Sequence, residues 1–116
     1  MSRDPVDRLR DILDCIRTAR NADALLQRGD AAGDRELVET AFAAVERNLF
    51  VIGEAAKDLP DDLLALAPEV DWKAVKGLRD VLGHEYFRLV PTIVHATLRE
   101  NLDPLETAVI KLLGQD

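Results

Sequence analysis

The sequence predicts an all-α protein, an up-and-down bundle of four main helices plus one short helix. Three observations carry this expectation. Apolar residues recur at spacings of three and four through nearly the whole chain, which is the helical period. No stretch alternates apolar and polar residues in the pattern of a half-buried strand. Asp, Pro and Gly fall between the periodic stretches, where helices begin and end. At 116 residues the chain is long enough for one core and too short for two, so residues 1–116 read as a single helical domain.

The first helix has Asp4 as its cap and Pro5 at its first position, where a missing N–H costs nothing. Val6, Leu9, Leu13, Ile16 and Ala19 then share one face. This helix is expected to run to about Gln27 and stop at Gly29, with "RGDAAGD" (28–34) as the longest loop. A second long helix starts near Asp34. Val38, Ala41, Val45, Leu49, Ile52, Ala56 and Leu59 form its apolar row, and Pro60 ends it. Gly53 interrupts this row at a cost of ~1 kcal/mol relative to alanine, so a neighbouring helix should approach closely there.

"PDDLLALAPE" reads as the short helix, with Leu63, Leu64 and Leu66 on its apolar side. Asp71 caps a third main helix whose Trp72, Val75, Leu78 and Leu82 point inward. The last helix runs from about Val90 to Leu113, burying Ile93, Val94, Leu98, Leu102, Leu105, Val109 and Leu112. Pro104 falls inside it and predicts a kink or a break. Leu25, Leu26, Phe42 and Phe50 lie off the main rows and leave apolar surface to cover, which predicts a homodimer.

Composition narrows the function. With 47% hydrophobic and 32% charged residues the chain is not disordered. No apolar run reaches the ~18 residues of a membrane span, and the start lacks a signal-peptide core. Cys15 is the sole cysteine, so there is no disulfide framework and a reducing cytoplasm is the expected location. It sits in the apolar row and reads as a small core hydrophobe. The net charge of −7 makes the chain a poor general binder of nucleic acid, so any RNA chemistry must rest on a local basic patch.

The stretch "GLRDVLGHEYF" (77–87) supplies such a patch. At ~100° per residue, Arg79 and His84 would stand ~140° apart on a straight helix. Gly83 removes that restriction by letting the helix end just before the histidine. Lys73, Lys76 and Arg79 recur every third residue and lead toward it. Arginine grips phosphate through paired hydrogen bonds. Histidine titrates near neutrality and can move the proton of a ribose 2′-hydroxyl or a leaving oxygen. The pair is a minimal kit for metal-free RNA cleavage, because RNA carries its own nucleophile.

Plainer readings stand beside this one. An Arg and a His at this spacing arise by chance, and Tyr86-Phe87 suit a core or an interface. Glu54 falls at the edge of the inward face, where an ion pair between helices, with Arg79 or Lys76, would explain it. His95 reads as a surface or interface residue. No metal site is expected, since no His, Cys or carboxylate cluster has ligand spacing and Asp61-Asp62 suit the start of the short helix.

The pattern Arg79-x4-His84-x-Tyr86 resembles the signature of HepT-like toxins in the HEPN superfamily. "VIGEAAKDLP" (51–60) resembles that family's second-helix motif, and "VDWKAVKGLRDVLGHEYF" (70–87) resembles its Trp-to-Tyr block, in the same order and separation. The resemblance implies an all-α homodimer whose two Arg–His motifs meet in an RNA-cleaving cleft without metal or cofactor. It also implies a type II toxin–antitoxin role beside a small MNT-type nucleotidyltransferase that transfers AMP to the motif tyrosine. On this basis Arg79 holds the scissile phosphate, His84 is the acid/base and Tyr86 is the modification site, with Asp80, Glu54 and Lys76 in support. The chain departs from the family in three places. Asp80 stands where asparagine is common, and either orients Arg79 or repels phosphate. Asp71 stands where proline precedes the tryptophan, and His95 where tryptophan is frequent. The alternatives are a non-catalytic helical module that binds a nucleotidyltransferase or nucleotide, and a structural dimerisation bundle.

Overall fold

A computed structural model of the chain describes residues 4–83 and 89–114. Five α-helices and one 3-10 helix follow in order: α1 (Pro5–Ala31), α2 (Arg35–Lys57), α3 (Asp61–Leu64), α4 (Trp72–Lys76), the 3-10 helix Leu78–Leu82, and α5 (Pro91–Leu113). The aspartate caps are in place. Asp4 accepts from the Val6 N–H at 2.8 Å, Asp34 from Leu37 at 3.1 Å and Asp71 from Ala74 at 3.1 Å. Each satisfies an N–H that the helix itself leaves without a partner.

The α1 helix continues through Gly29, where the sequence predicts its end. Gly29 is buried, and a β-carbon there would lie 3.2 Å from Leu37 and Val38 at the start of α2. Its missing side chain therefore serves the crossing of the two helices. The stop comes at Gly33, whose φ of 68° only glycine adopts without strain. Only a short turn, not a seven-residue loop, joins α1 to α2.

The chain then runs up and down. Arg8 of α1 pairs with Asp58 just beyond α2 at 3.1 Å, and Gly29 meets Leu37 at the other end, so these helices are antiparallel. Gln27 bonds the Pro91 carbonyl, Asp23 meets His95, and Arg20 meets Asp103 and Glu106. Those pairs run α5 antiparallel to α1. Between them, the expected third main helix is short and broken. It ends at Lys76 and resumes after Gly77 as the 3-10 helix. Val75 and Leu78, three residues apart, are both buried, which suits the three-residue period of the tighter helix. The α5 helix passes through Pro104 without a break. Leu102 and Leu105 are buried on either side of it and hold the turn despite one missing hydrogen bond.

One buried cluster draws on all of these elements. The whole apolar row of α2 is buried, as its spacing predicts. The α1 row is wider than expected because α1 packs against both α2 and α5. Ile12 and Leu26 are fully buried, while Val6, at the open end, is 39% exposed. Leu66 and Ile93, expected inside, are exposed, at 50% and 60%. Leu25 and Phe50 do remain at the surface. Cys15 packs half-buried against the core, and burial with Asp11 and Asp14 nearby pushes its thiol pKa up. Among the described residues no helix is long and apolar enough to cross a membrane.

Candidate active site

The position of Arg79 is set by a backbone contact one turn before it. Gly53 of α2 is buried, and a β-carbon there would stand 2.8 Å from the Lys76 carbonyl and 3.2 Å from that of Val75. The α4 helix therefore rests directly on the α2 backbone. Val75 and Leu78 anchor the segment in the core, leaving Arg79 and Asp80 at the surface immediately after them. The segment Lys76 to Leu82 runs back along α2, from Gly53 past Phe50 toward Phe42.

Arg79 places its guanidinium over the Phe50 ring, 6.0 Å from the centroid. That is the outer range of a cation–π contact, worth about 0.5–1 kcal/mol at an exposed site. Among the described residues it forms no salt bridge. Glu54, expected to bridge to Arg79 or Lys76, instead pairs with Lys57 on its own helix at 3.1 Å. Residues three apart on one helix meet without any help from a second element. Asp80 does not pair with Arg79 either. Lys76 is half-buried and lines a concavity of about 170 Å³ together with Glu54, Arg79 and Asp80.

The 3-10 helix closes at Gly83, with φ 70° and ψ −176°, a conformation essentially confined to glycine. The chain thus leaves the helical path immediately before His84, as the glycine predicts. His84 and Tyr86 themselves lie outside the described residues. The structure accordingly brings together Arg79, Asp80, Glu54 and Lys76, and adds two residues that the sequence did not assign to the site. Phe50 carries the guanidinium, and Arg47, one turn earlier on α2, lines the same surface. No periodicity could have selected Arg47, because its relevance depends on which segment crosses α2.

A second polar cluster holds the start of α5. Asp23 is only 6% exposed, and accepts from Gln27 Nε2 at 3.0 Å and from His95 Nδ1 at 2.6 Å. A carboxylate can only accept here, so the imidazole hydrogen sits on Nδ1. Gln27 also donates to the Pro91 carbonyl at 2.8 Å. His95 is thus a surface residue with a buried partner. Asp23 was legible in principle, since a charge that continues the Ile16–Ala19 row needs something to pair with. Nearby, Arg20 bonds Glu106 at 2.8 Å and Asp103 at 2.7 Å, and these contacts raise its already high pKa. Among the described residues no group of three His, Cys, Asp or Glu side chains is arranged to hold a metal.

Residues 8–112 match the family described as ribonuclease HepT-like. A protein named "Probable ribonuclease HepT" from Thermococcus cleftensis is 32% identical over 112 residues, covering 97% of this chain and 98% of its own length. A protein of Caldanaerobacter subterraneus subsp. tengcongensis named "Putative RNase" is 37% identical over 73 residues, covering 63% of this chain and 65% of that one. Another so named, from Methanocaldococcus jannaschii, is 38% identical over 77 residues, 63% of this chain and 64% of that one. No solved structure matches significantly. With a match that spans α1 to the end of α5, the chain belongs to the ribonuclease HepT-like family.

Proposed function

We propose that this protein is a metal-independent endoribonuclease, the toxin of a type II toxin–antitoxin pair acting in the cytoplasm. The observation that carries the reading is Arg79. It is an exposed guanidinium without a carboxylate partner among the described residues, presented just before the glycine that precedes His84. An arginine already neutralised would have to break a pair before gripping phosphate; no described carboxylate neutralises this one. Arg79 holds the scissile phosphate and offsets the charge that builds on its oxygens. His84 takes the proton of the 2′-hydroxyl or delivers one to the leaving 5′-oxygen. Lys76 adds a second positive charge, and Lys57 cancels Glu54 so that it does not repel the substrate. A homodimer would supply a second Arg–His pair facing the same strand.

The experiment is incubation of RNA with the purified protein, its Arg79→Ala and His84→Ala variants, and EDTA. Cleavage should survive EDTA and fall at least a hundredfold in either variant, the usual scale for losing an acid/base or a charge-stabilising donor. Cleavage abolished by EDTA and retained by His84→Ala would overturn the mechanism. Regulation follows from Tyr86, the sole tyrosine. An MNT-type nucleotidyltransferase with ATP and Mg²⁺ should add AMP to its hydroxyl, placing a bulky anion beside the phosphate site. Mass spectrometry should show added AMP units that vanish in Tyr86→Phe. Unchanged labelling of that variant would remove Tyr86 from the scheme.

A further inference from the structure

Phe50 and Arg79 form the wall shared by two concavities. The inner one carries Lys76, and the outer one, of about 310 Å³, carries Arg47 beside Ala43 and Glu46. Phe50 is 39% exposed in a chain with three phenylalanines, one tyrosine and one tryptophan. Among the described residues neither Arg47 nor Arg79 has a salt bridge, although the Glu46 carboxylate lines the same outer concavity. Elsewhere the arginines Arg8, Arg17, Arg20 and Arg35 are each paired with a carboxylate. Arg10, Arg28 and Arg99 likewise have no salt bridge among the described residues; what sets Arg47 and Arg79 apart is that both line one concavity with the exposed Phe50 ring. Cations flanking an aromatic face are the arrangement that binds a single strand of nucleic acid. The ring and guanidinium planes stack an unpaired base while the charges take the phosphates on either side.

We propose that Arg47 and Phe50 form a nucleotide subsite next to the cleaved bond, so that the substrate is single-stranded RNA with an unstacked base at this position. The inference rests on the ribonuclease reading and extends it to the form of the substrate. A duplex cannot use the subsite, because its bases are already paired and stacked. Arg47 contacts phosphate, and Phe50 contacts the base; neither takes part in proton transfer.

The test is anisotropy of a fluorescein-labelled 12-nucleotide RNA, single-stranded or annealed, binding to the full chain carrying His84→Ala. Adding Phe50→Leu should weaken single-strand binding roughly tenfold without altering its salt dependence, since stacking releases no counterions. Phe50→Trp should restore it. Adding Arg47→Ala should weaken binding and reduce the slope of log K against log salt by about 0.7, the value for one phosphate contact on a single strand. Duplex should bind no differently to Phe50→Leu. Single-strand affinities unchanged in both variants would overturn the subsite. So would polyglutamate competing as well as RNA, which would assign the cations to an acidic protein partner. Cleavage by the unmutated protein with KM unaffected by Arg47→Ala and Phe50→Leu sinks the subsite alone. Single-strand binding that follows the expected pattern without any cleavage sinks the ribonuclease reading alone.

Discussion

Arg79 is the residue on which the reading turns, and its surroundings make a sharp prediction. It is exposed, and its one described contact is the Phe50 ring at 6.0 Å. Exposed substitutions usually cost under ~0.5 kcal/mol, and the cation–π contact adds at most ~1. Arg79→Ala should therefore lose cleavage while its melting temperature falls by no more than a few degrees. A fall of ten degrees or more would identify a structural residue instead. The arginine and histidine of the proposed site are suggested by their residue types, and the tyrosine only by the resemblance to the family's Arg-x4-His-x-Tyr signature. The ion partner of Glu54 was not legible in this way. The sequence suggests Lys76 or Arg79 across the helices; the structure instead pairs Glu54 with Lys57, at i+3 on its own helix.

At the scale of elements, Gly53 is a contact point rather than a weakness in α2. Gly53→Ala would gain up to ~1 kcal/mol of helix propensity. It would also drive a β-carbon to 2.8 Å from the Lys76 carbonyl, and forcing extra volume into a packed site costs ~1–3 kcal/mol. Backbone cannot move aside as a side-chain end can, so the clash should win. The expected result is a lower melting temperature and weaker cleavage, since α4 would carry Arg79 outward with it. A raised melting temperature would show that α4 is not seated on α2 in this way. The junction of α1 with α5 sets a second expectation. The Arg20 pairs are part-exposed and should be worth ~0–1 kcal/mol. Asp23 is buried and accepts two bonds, so losing it costs about 1.5–3 kcal/mol, toward the lower end because His95 can reach water. Asp23→Ala should thus destabilise more than Arg20→Ala in thermal or urea melts, and the reverse order would show that the surface pairs hold α5.

Across the whole molecule, measuring 47 × 24 × 21 Å, one group of exposed apolar side chains lies near the motif, while Val6, Leu25, Leu66 and Ile110 are exposed elsewhere. Val81, Val90 and Ile93, between 40% and 60% exposed, line one groove of about 300 Å³ with Phe42 and Leu82. That groove adjoins the strand of chain leading into His84, so a second copy seated there would bring two motifs together. The proposed dimer should sediment as such at micromolar concentration. Ile93→Asp should yield monomer with little loss of stability, because Ile93 buries little within its own chain, and cleavage should fall with the dimer. An unmutated protein that sediments only as monomer would remove both the dimer and the shared cleft.

What the sequence determined by itself was local and periodic. The caps Asp4 and Asp71, the start of α2 near Asp34, the break at Gly83 and the buried row of α2 all follow from residues within a turn or two of one another, where propensity and hydrogen bonding act directly. Gly29, Ile12 and Ile93 show where that reach stops. Gly29 reads as a terminator until α2 is seen lying against it, and Ile12 is buried because α1 has two neighbours rather than one. Ile93 sits on the apolar face of α5, yet no described helix covers it. The third helix is divided at Gly77, with Val75 and Leu78 buried on either side of the break. The pairing of Arg47, Phe50 and Arg79 likewise belongs to the tertiary structure, since it joins residues about thirty positions apart through the path of the chain across α2. A side chain's charge and shape are written at its own position; which other side chains it meets is decided only when the helices pack.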